Sequence, residues 1–311
     1  MLKGLVVGDA HLCDYVPVKR LDNFLDAQFI KVERIRQVAE ETDVDVVILL
    51  GDVFDRARPD LWLVNKAAAL FGKFPCVVYS LVGNHDLQGC RDGVPGTALG
   101  NLFTSGTIKK LNGDMTLLDI PFRAINHTRE HTAELYASEI PRIILTHNMV
   151  TPQVAPFEHL FVDDVLAVAK DCFTFAGDFH DPFEKYNPHT RSRIINPGVL
   201  TRTSIAEKDI DPSVIYFEAT PEDLVTSYRK ISLGAPKGDT LFNVILHEQT
   251  KESELNLKQF IDSITQTQFE SQDIEKLIYE VGAETKVSAE VISEAIQRIK
   301  TAKTLNIGEL E

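Results

Sequence analysis

The sequence predicts an α/β fold with crossover helices, and three observations carry that expectation. Short apolar runs alternate with longer amphipathic segments of helical period. The first three runs each end at a glycine followed by an acid or amide: Gly8-Asp9, Gly51-Asp52 and Gly83-Asn84. That strand–helix–strand rhythm is the signature of sheets covered by helices, in which ligands gather beyond the carboxyl ends of the strands.

Residues 2–7 read as a buried strand delivering Asp9. Residues 20–41 place Leu21, Phe24, Leu25, Ile35, Val38 and Ala39 among charges, an amphipathic helix. Residues 44–50 and 77–82 are the next two strands, with a helix over 60–72 between them. Residues 87–115 are rich in glycine and small polar residues and read as loop, with a short helix near 99–103. Further strands are expected at 143–145, 173–176 and 194–195, a helix at 161–170, and a closing pair of strands at 214–217 and 226–231. Gly234-Ala235-Pro236-Lys237-Gly238 marks a boundary between a domain of residues 1–235 and an α-rich appendage of residues 236–311. The appendage holds a strand candidate at 241–246 and helix candidates at 252–265, 270–281 and 287–303. The last carries Val287, Val291, Ile292, Ala295, Ile296 and Ile299 at helical spacing. The appendage reads as a small cap shaping a substrate groove, followed by a helix whose stripe suits either a partner or packing within the chain.

The 311 residues are 44% apolar and 25% charged, ordinary for a globular protein. No apolar run reaches the ~20 residues of a membrane span, and residues 1–8 lack the layout of a signal peptide. The cysteines Cys13, Cys76, Cys90 and Cys172 follow no zinc or disulfide spacing, so reduced thiols and a cytoplasmic location are expected. A net charge of −14 argues against a broadly basic nucleic-acid binder. It leaves room for a nuclease whose metals supply local positive charge, with weak, salt-sensitive DNA binding by this chain alone.

Five motifs carry the chemistry: Asp9-Ala10-His11, Gly51-Asp52-Val53-Phe54-Asp55, Gly83-Asn84-His85-Asp86, Thr146-His147-Asn148 and Gly177-Asp178-Phe179-His180. Each alone also fits an ordinary polar turn or a satisfied core histidine. Together they bring a shareable carboxylate, several imidazoles and an amide oxygen to strand ends, as two ions about 3.5–4 Å apart require. Asp52 is the natural bridging ligand and Asn84 a neutral one. His85 is placed to protonate a leaving oxygen, with Asp86 expected to orient it.

The motif order resembles that of the calcineurin-like metallophosphoesterases. More narrowly, Gly51–Asp55 with Arg58-Pro59, Gly83–Asp86, and Asn196-Pro197-Gly198 followed by Thr201-Arg202-Thr203 resemble the SbcD-like nuclease subunits of double-strand-break repair. The resemblance covers roughly residues 1–235. It implies a two-sheet sandwich flanked by helices, with Asp9, His11, Asp52 and His180 on one metal. Asp52, Asn84, His147 and Asp178 would hold the other, and His85 would be the catalytic histidine. Position 178 departs from the family's Gly-His-x-His, and a carboxylate there binds hard divalent ions. The resemblance further implies Mn²⁺, with Mg²⁺ second, DNA as substrate, an SMC-like ABC ATPase as partner, and a homodimer as one assembly. A phosphoesterase acting on a nucleotide, lipid precursor or phosphoprotein is the alternative reading, and a non-catalytic scaffold the third.

Arg58 and Arg91, with Arg56 and Lys109-Lys110, either face phosphates or are solvated surface charge. His127 and His131, four apart in a loop, read as surface residues, with substrate contact as the alternative, and Trp62 as helix packing in preference to base stacking.

Overall fold

The computed structural model describes residues 1–245, 255, 258–259, 274–284 and 287–307. They divide into two compact units, Met1–Phe242 and Asn243–Glu311. The first holds two six-stranded sheets. In one, β1 (Leu2–Val7), β2 (Val46–Leu49), β3 (Val77–Ser80) and β4 (Lys109–Lys110) run parallel. The later strands β13 (Ser213–Thr220) and β14 (Leu224–Ser232) extend it antiparallel beside β1. The helices α1 (Phe24–Thr42), α2 (Leu61–Phe71) and α3 (Ala98–Thr104) are the crossovers between the parallel strands.

The second sheet has the order β11-β12-β10-β7-β6-β5. Its parallel core is β6 (Ile120–Ile125), β7 (Ile143–Thr146), β10 (Phe173–Ala176) and β12 (Ser192–Asn196). The edges β5 (Gly113–Leu117) and β11 (Phe183–Asn187) are antiparallel to their neighbours. The short pair β8 (Val150–Thr151) and β9 (Leu160–Phe161) and the helix α4 (Val162–Val168) lie between β7 and β10 in the chain.

Alternation along the strands builds the layers. In β1, Leu5 and Val7 pack with Phe29, Val32 and Ile35 of α1 and Leu63 of α2. Leu2 and Val6 point the other way and pack with Phe122, Leu145 and Phe175 of the second sheet. A third cluster, including Ile144, Ile194, Val165 and Leu166, seats α4 on that sheet's outer face. Strands buried on both faces therefore read as unbroken apolar runs. The result is the mixed α/β double sheet flanked by helices that the sequence implied.

Several expectations need correction. Residues 109–110 and 113–115 are strand rather than loop. The β5–β6 hairpin turns at Leu118 and Asp119, both with positive φ (46° and 64°) and neither a glycine, so the usual Asn-Gly signal is missing. The first helix starts at Phe24 on an Asn23 cap, and Leu21 is exposed. Residues 241–245 form no strand: Gly238–Leu241 is one helical turn and Phe242 makes an isolated bridge to Arg20. Residue 246 and most of 252–265 lie outside the described residues. In the second unit, helices Ile274–Glu284 and Ala289–Ile307 pack through Ile278, Ile292, Ala295 and Ile296, so the apolar stripe meets its own neighbouring helix.

Candidate metal centre

The strand ends converge where the two sheets meet. Ala10 and His11 donate main-chain N–H bonds to Asp52 O (3.1 and 2.8 Å), tying the turn after β1 to the turn after β2. His11, Asp52 and Asp178 all take left-handed backbone (φ 43°, 46° and 72°). Non-glycine residues held there cost on the order of 1–3 kcal/mol and concentrate at functional sites. Gly83 is required by close approach, since a Cβ there would lie 2.0 Å from Asp52 Oδ1.

Imidazole and carboxylate ligands meet first at Asp9, His11 and His180, whose ligand atoms lie within 4.8 Å of one another. His180 Nδ1 is 2.6 Å from the Glu207 carboxylate, which places its proton there. His11 Nδ1 lies 3.3 Å from Asp55 Oδ1, an ion-pair contact without hydrogen-bond geometry. The Nε2 atoms of His11 and His180 face each other at 3.1 Å, with Asp9 Oδ2 3.8 Å from that of His180.

The second meeting point repeats the pattern. His147 Nδ1 donates to Leu50 O at 2.7 Å, so its Nε2 lone pair faces Asn84 Oδ1 at 3.0 Å and Asp52 Oδ2 at 3.4 Å. Asp52 Oδ2 is also 3.6 Å from His11 Nε2, so one carboxylate lies between both points. Acceptors facing acceptors in a buried site repel unless a proton or a cation intervenes. A divalent ion at each point satisfies all the donors there at once, and the residues present fit such a pair.

The charges agree. Burial raises the Asp9 carboxyl above its usual range. Burial acts on Asp52 too, but His147 and then His11 outweigh it and hold that carboxyl low. Burial lowers the His11 imidazole, yet the Asp55 contact and the charges of Asp52 and Asp9 carry it to about 9. Burial works against the charged His147 in the same way, and Asp52 and Asp9 again raise it well above its ordinary value. The buried carboxylates demand positive charge, which protons supply when no cation does.

His85 is tied at its main-chain N–H to Asp52 Oδ1 (2.9 Å) and at Nδ1 to Asp55 O (2.8 Å). Its side chain is 35% exposed, which leaves the ring open to a cleft of ≈ 710 Å³. Asn84, His127, His131, Asp178 and His180 line the same cleft. Asp86 does not orient His85. Its carboxylate accepts from Phe54 N (3.1 Å) and Gly83 N (3.0 Å), and burial pushes it up to about 7. It shapes the two metal-bearing turns instead. Asp178 donates its N–H to Asp9 (3.0 Å), and its half-buried side chain lines the cleft outside the two converging groups, Asp9–His11–His180 and His11–Asp52–His85. Arg58 is engaged by Asp92 (2.8 Å) and Gly96 O, and Arg91 is exposed; neither lines the cleft. Arg202 is buried and anchors Lys208 O and Pro236 O, a structural role.

Two participants escaped the sequence reading. Asp55 sits inside a quoted motif but looked like turn polarity. Glu207 carried one legible signal: Ser204-Ile205-Ala206-Glu207 is a capping box, and its carboxylate also accepts from Thr203 N and Ser204 N.

A double sheet with paired acceptor sites at its strand ends defines an α/β protein built to hold metal ions. The chain belongs to the calcineurin-like phosphoesterases, whose profile matches residues 2–190. No curated protein matches by sequence. Among solved structures, a dimetal phosphatase from Danio rerio is similar with TM-score 0.50 at 12% identity, over 75% of this chain and 96% of that one. The TT1561 protein of Thermus thermophilus gives TM-score 0.43 at 13% identity, over 75% and 99%. A 5'-nucleotidase precursor from the same organism gives 0.43 at 11%, over 85% and 60%. At these identities the likeness concerns the fold. No helix among the described residues is long and apolar enough to cross a membrane.

Proposed function

We propose that this chain is a metal-dependent phosphodiesterase acting on DNA, the exo/endonuclease subunit of a repair or recombination complex. The observation that carries the reading is His85, tethered at Nδ1 by Asp55 O and open to the cleft beside both acceptor sites. Bound divalent ions supply an acidified water and neutralise charge on phosphorus. The protein's own part is to hold and orient. Asp52 lies between the two sites, Glu207 fixes the tautomer of His180, Asp55 sets a negative charge beside His11, and His85 delivers a proton to the departing oxygen. A sugar alkoxide needs that proton far more than a phenolate does, so this arrangement suits a nucleic-acid ester as it does other alkyl esters of phosphate. The Asn196-Pro197-Gly198 segment and its SbcD-like context support the same substrate, with Mn²⁺ as the metal and an SMC-like ATPase as partner in the cytoplasm. Such a partner would supply the basic surface that a chain of net charge −14 lacks.

One observation favours a second reading. Glu158 and Asp181 line the cleft together with Asp178, an acidic rim better matched to a small nucleotide ester than to a long polyanion. Cleavage of linear duplex DNA with Mn²⁺, beside nucleotide monoesters and small diesters, separates the two. The nuclease reading expects DNA cleavage that Asp52→Ala abolishes. Hydrolysis confined to nucleotide monoesters would replace it with the second reading.

A further inference from the structure

Strand β6 runs parallel to β7, so its carboxyl end also opens on the cleft. The residues after it are pinned from both sides. Asn126 Oδ1 accepts from Val82 N (2.7 Å), and its amide donates to Leu111 O (3.1 Å). His127 N donates to Val82 O (2.9 Å), two residues before Asn84, and Thr128 N to Asn148 Oδ1 (3.2 Å), next to His147. His127 is therefore fixed against two ligand-bearing turns, and it is not the surface residue the sequence suggested. Its ring lines the cleft, and among the described residues its buried Nδ1 has no hydrogen-bond partner.

Two imidazoles in adjacent positions on one ion, at ~2.1 Å per nitrogen and ligand angles of about 90–110°, keep their ring centroids about 4.6–5.3 Å apart. His11 and His180, at 5.0 Å, meet that requirement. His127 and His147, at 6.5 Å, are too far apart for adjacent positions. His127 also belongs to neither group of converging His and carboxylate ligand atoms, while its ring lines the cleft.

We propose that His127 is a substrate-contact residue that hydrogen-bonds a phosphoryl oxygen of the bound ester on the His147 side of the cleft. This rests on the phosphoesterase reading above. The main chain holds the ring rigidly, Nδ1 is buried, and no side-chain hydrogen bond among the described residues occupies the edge that lines the cleft, so that edge is placed to meet a phosphoryl oxygen.

The test compares the Mn²⁺-loaded full chain with His127→Phe, which keeps the ring shape without the nitrogens, and with His127→Ala. Calorimetry measures Mn²⁺ affinity and then binding of inorganic phosphate to the loaded protein. Hydrolysis of bis(p-nitrophenyl) phosphate follows. The expected result is Mn²⁺ affinity within about twofold of wild type, phosphate Kd raised about tenfold, and kcat/KM reduced about 10–100-fold. A phosphate Kd within twofold of wild type would overturn the proposal. So would a tenfold loss of Mn²⁺ affinity, which would make His127 a ligand, or a loaded wild type that binds no phosphate. Thermal melting of each variant checks that it is folded, and if the Phe variant fails to fold the Ala variant carries the comparison. Phosphate binding that depends on His127 in a chain inactive on every diester would uphold the contact while striking down the phosphodiesterase reading alone.

Discussion

Glu207 shows how much of this centre depends on residues that act through a neighbouring histidine. Its carboxylate fixes the His180 tautomer while two main-chain N–H groups hold the carboxylate itself. Partners of this kind typically govern metal affinity by 10–100-fold. Glu207→Gln should therefore weaken Mn²⁺ binding by about that factor in calorimetry; unchanged affinity would remove Glu207 from the centre. Gly83→Ala should cost about 1–3 kcal/mol of stability and displace Asp52, because the added methyl meets that carboxylate at 2.0 Å. Denaturant unfolding beside a metal-binding assay checks both effects. At this scale the sequence was legible where a candidate ligand follows a buried strand closely, as at Asp9, Asp52 and His147. It was not legible where a role comes from contact across the chain. Asp55 and Glu207 reach their histidines over 44 and 27 residues, and Asp86 lies beside His85 in sequence but bonds to Phe54 and Gly83.

Elements tell a similar story through their borders. The parallel strands β1 and β2 announced themselves because both faces are buried, and β3 as an apolar run although Val77 is exposed. Strands β5 and β11 are half-exposed edges with mixed composition, and the turn between β5 and β6 uses Leu118-Asp119 in place of glycine. Without a legible hairpin, β6 carried His127 into the cleft unseen. The last segment of the first unit is held by buried cations. Arg20 lies between the rings of Phe24 and Phe242 and donates to Arg202 O (2.7 Å), while Arg202 donates to Lys208 O and Pro236 O. Arg202→Met leaves two carbonyls without their charged donor and should cost about 2–4 kcal/mol in unfolding experiments. Lys31 is buried close enough to Arg20 and Arg202 to feel their charge, and burial first, then those cations, lower it to about 8. Its unfolded value is higher, so burying the charged form costs stability in full below pH 8. That cost fades as pH rises toward the unfolded value near 10.5. Lys31→Met should thus raise the melting midpoint at pH 7, with the gain shrinking between pH 8 and 10.5. A gain independent of pH would show that Lys31 is not the titrating group.

For the whole molecule, the sandwich architecture was legible only through resemblance, since no local pattern says how two sheets face each other. Its consequence is that one centre draws ligands from both sheets: Asp9, Asp52 and Asn84 from one, His147 and His180 from the other. Metal binding should therefore clamp the sheets together and stabilise the fold by mass action, about 2.7 kcal/mol at a hundredfold excess over Kd. Thermal melting of the full chain with and without a chelator reads this directly, and equal midpoints would separate the ions from the fold.

Two acceptor-only sites bridged by Asp52 underlie all of this chemistry. Anomalous diffraction from crystals grown with Mn²⁺ tests them most directly. It should show two peaks about 3.5–4 Å apart, one among Asp9, His11 and His180 and one beside Asn84 and His147, with Asp52 between them. A single peak, or none at these residues, would contradict the bridged pair.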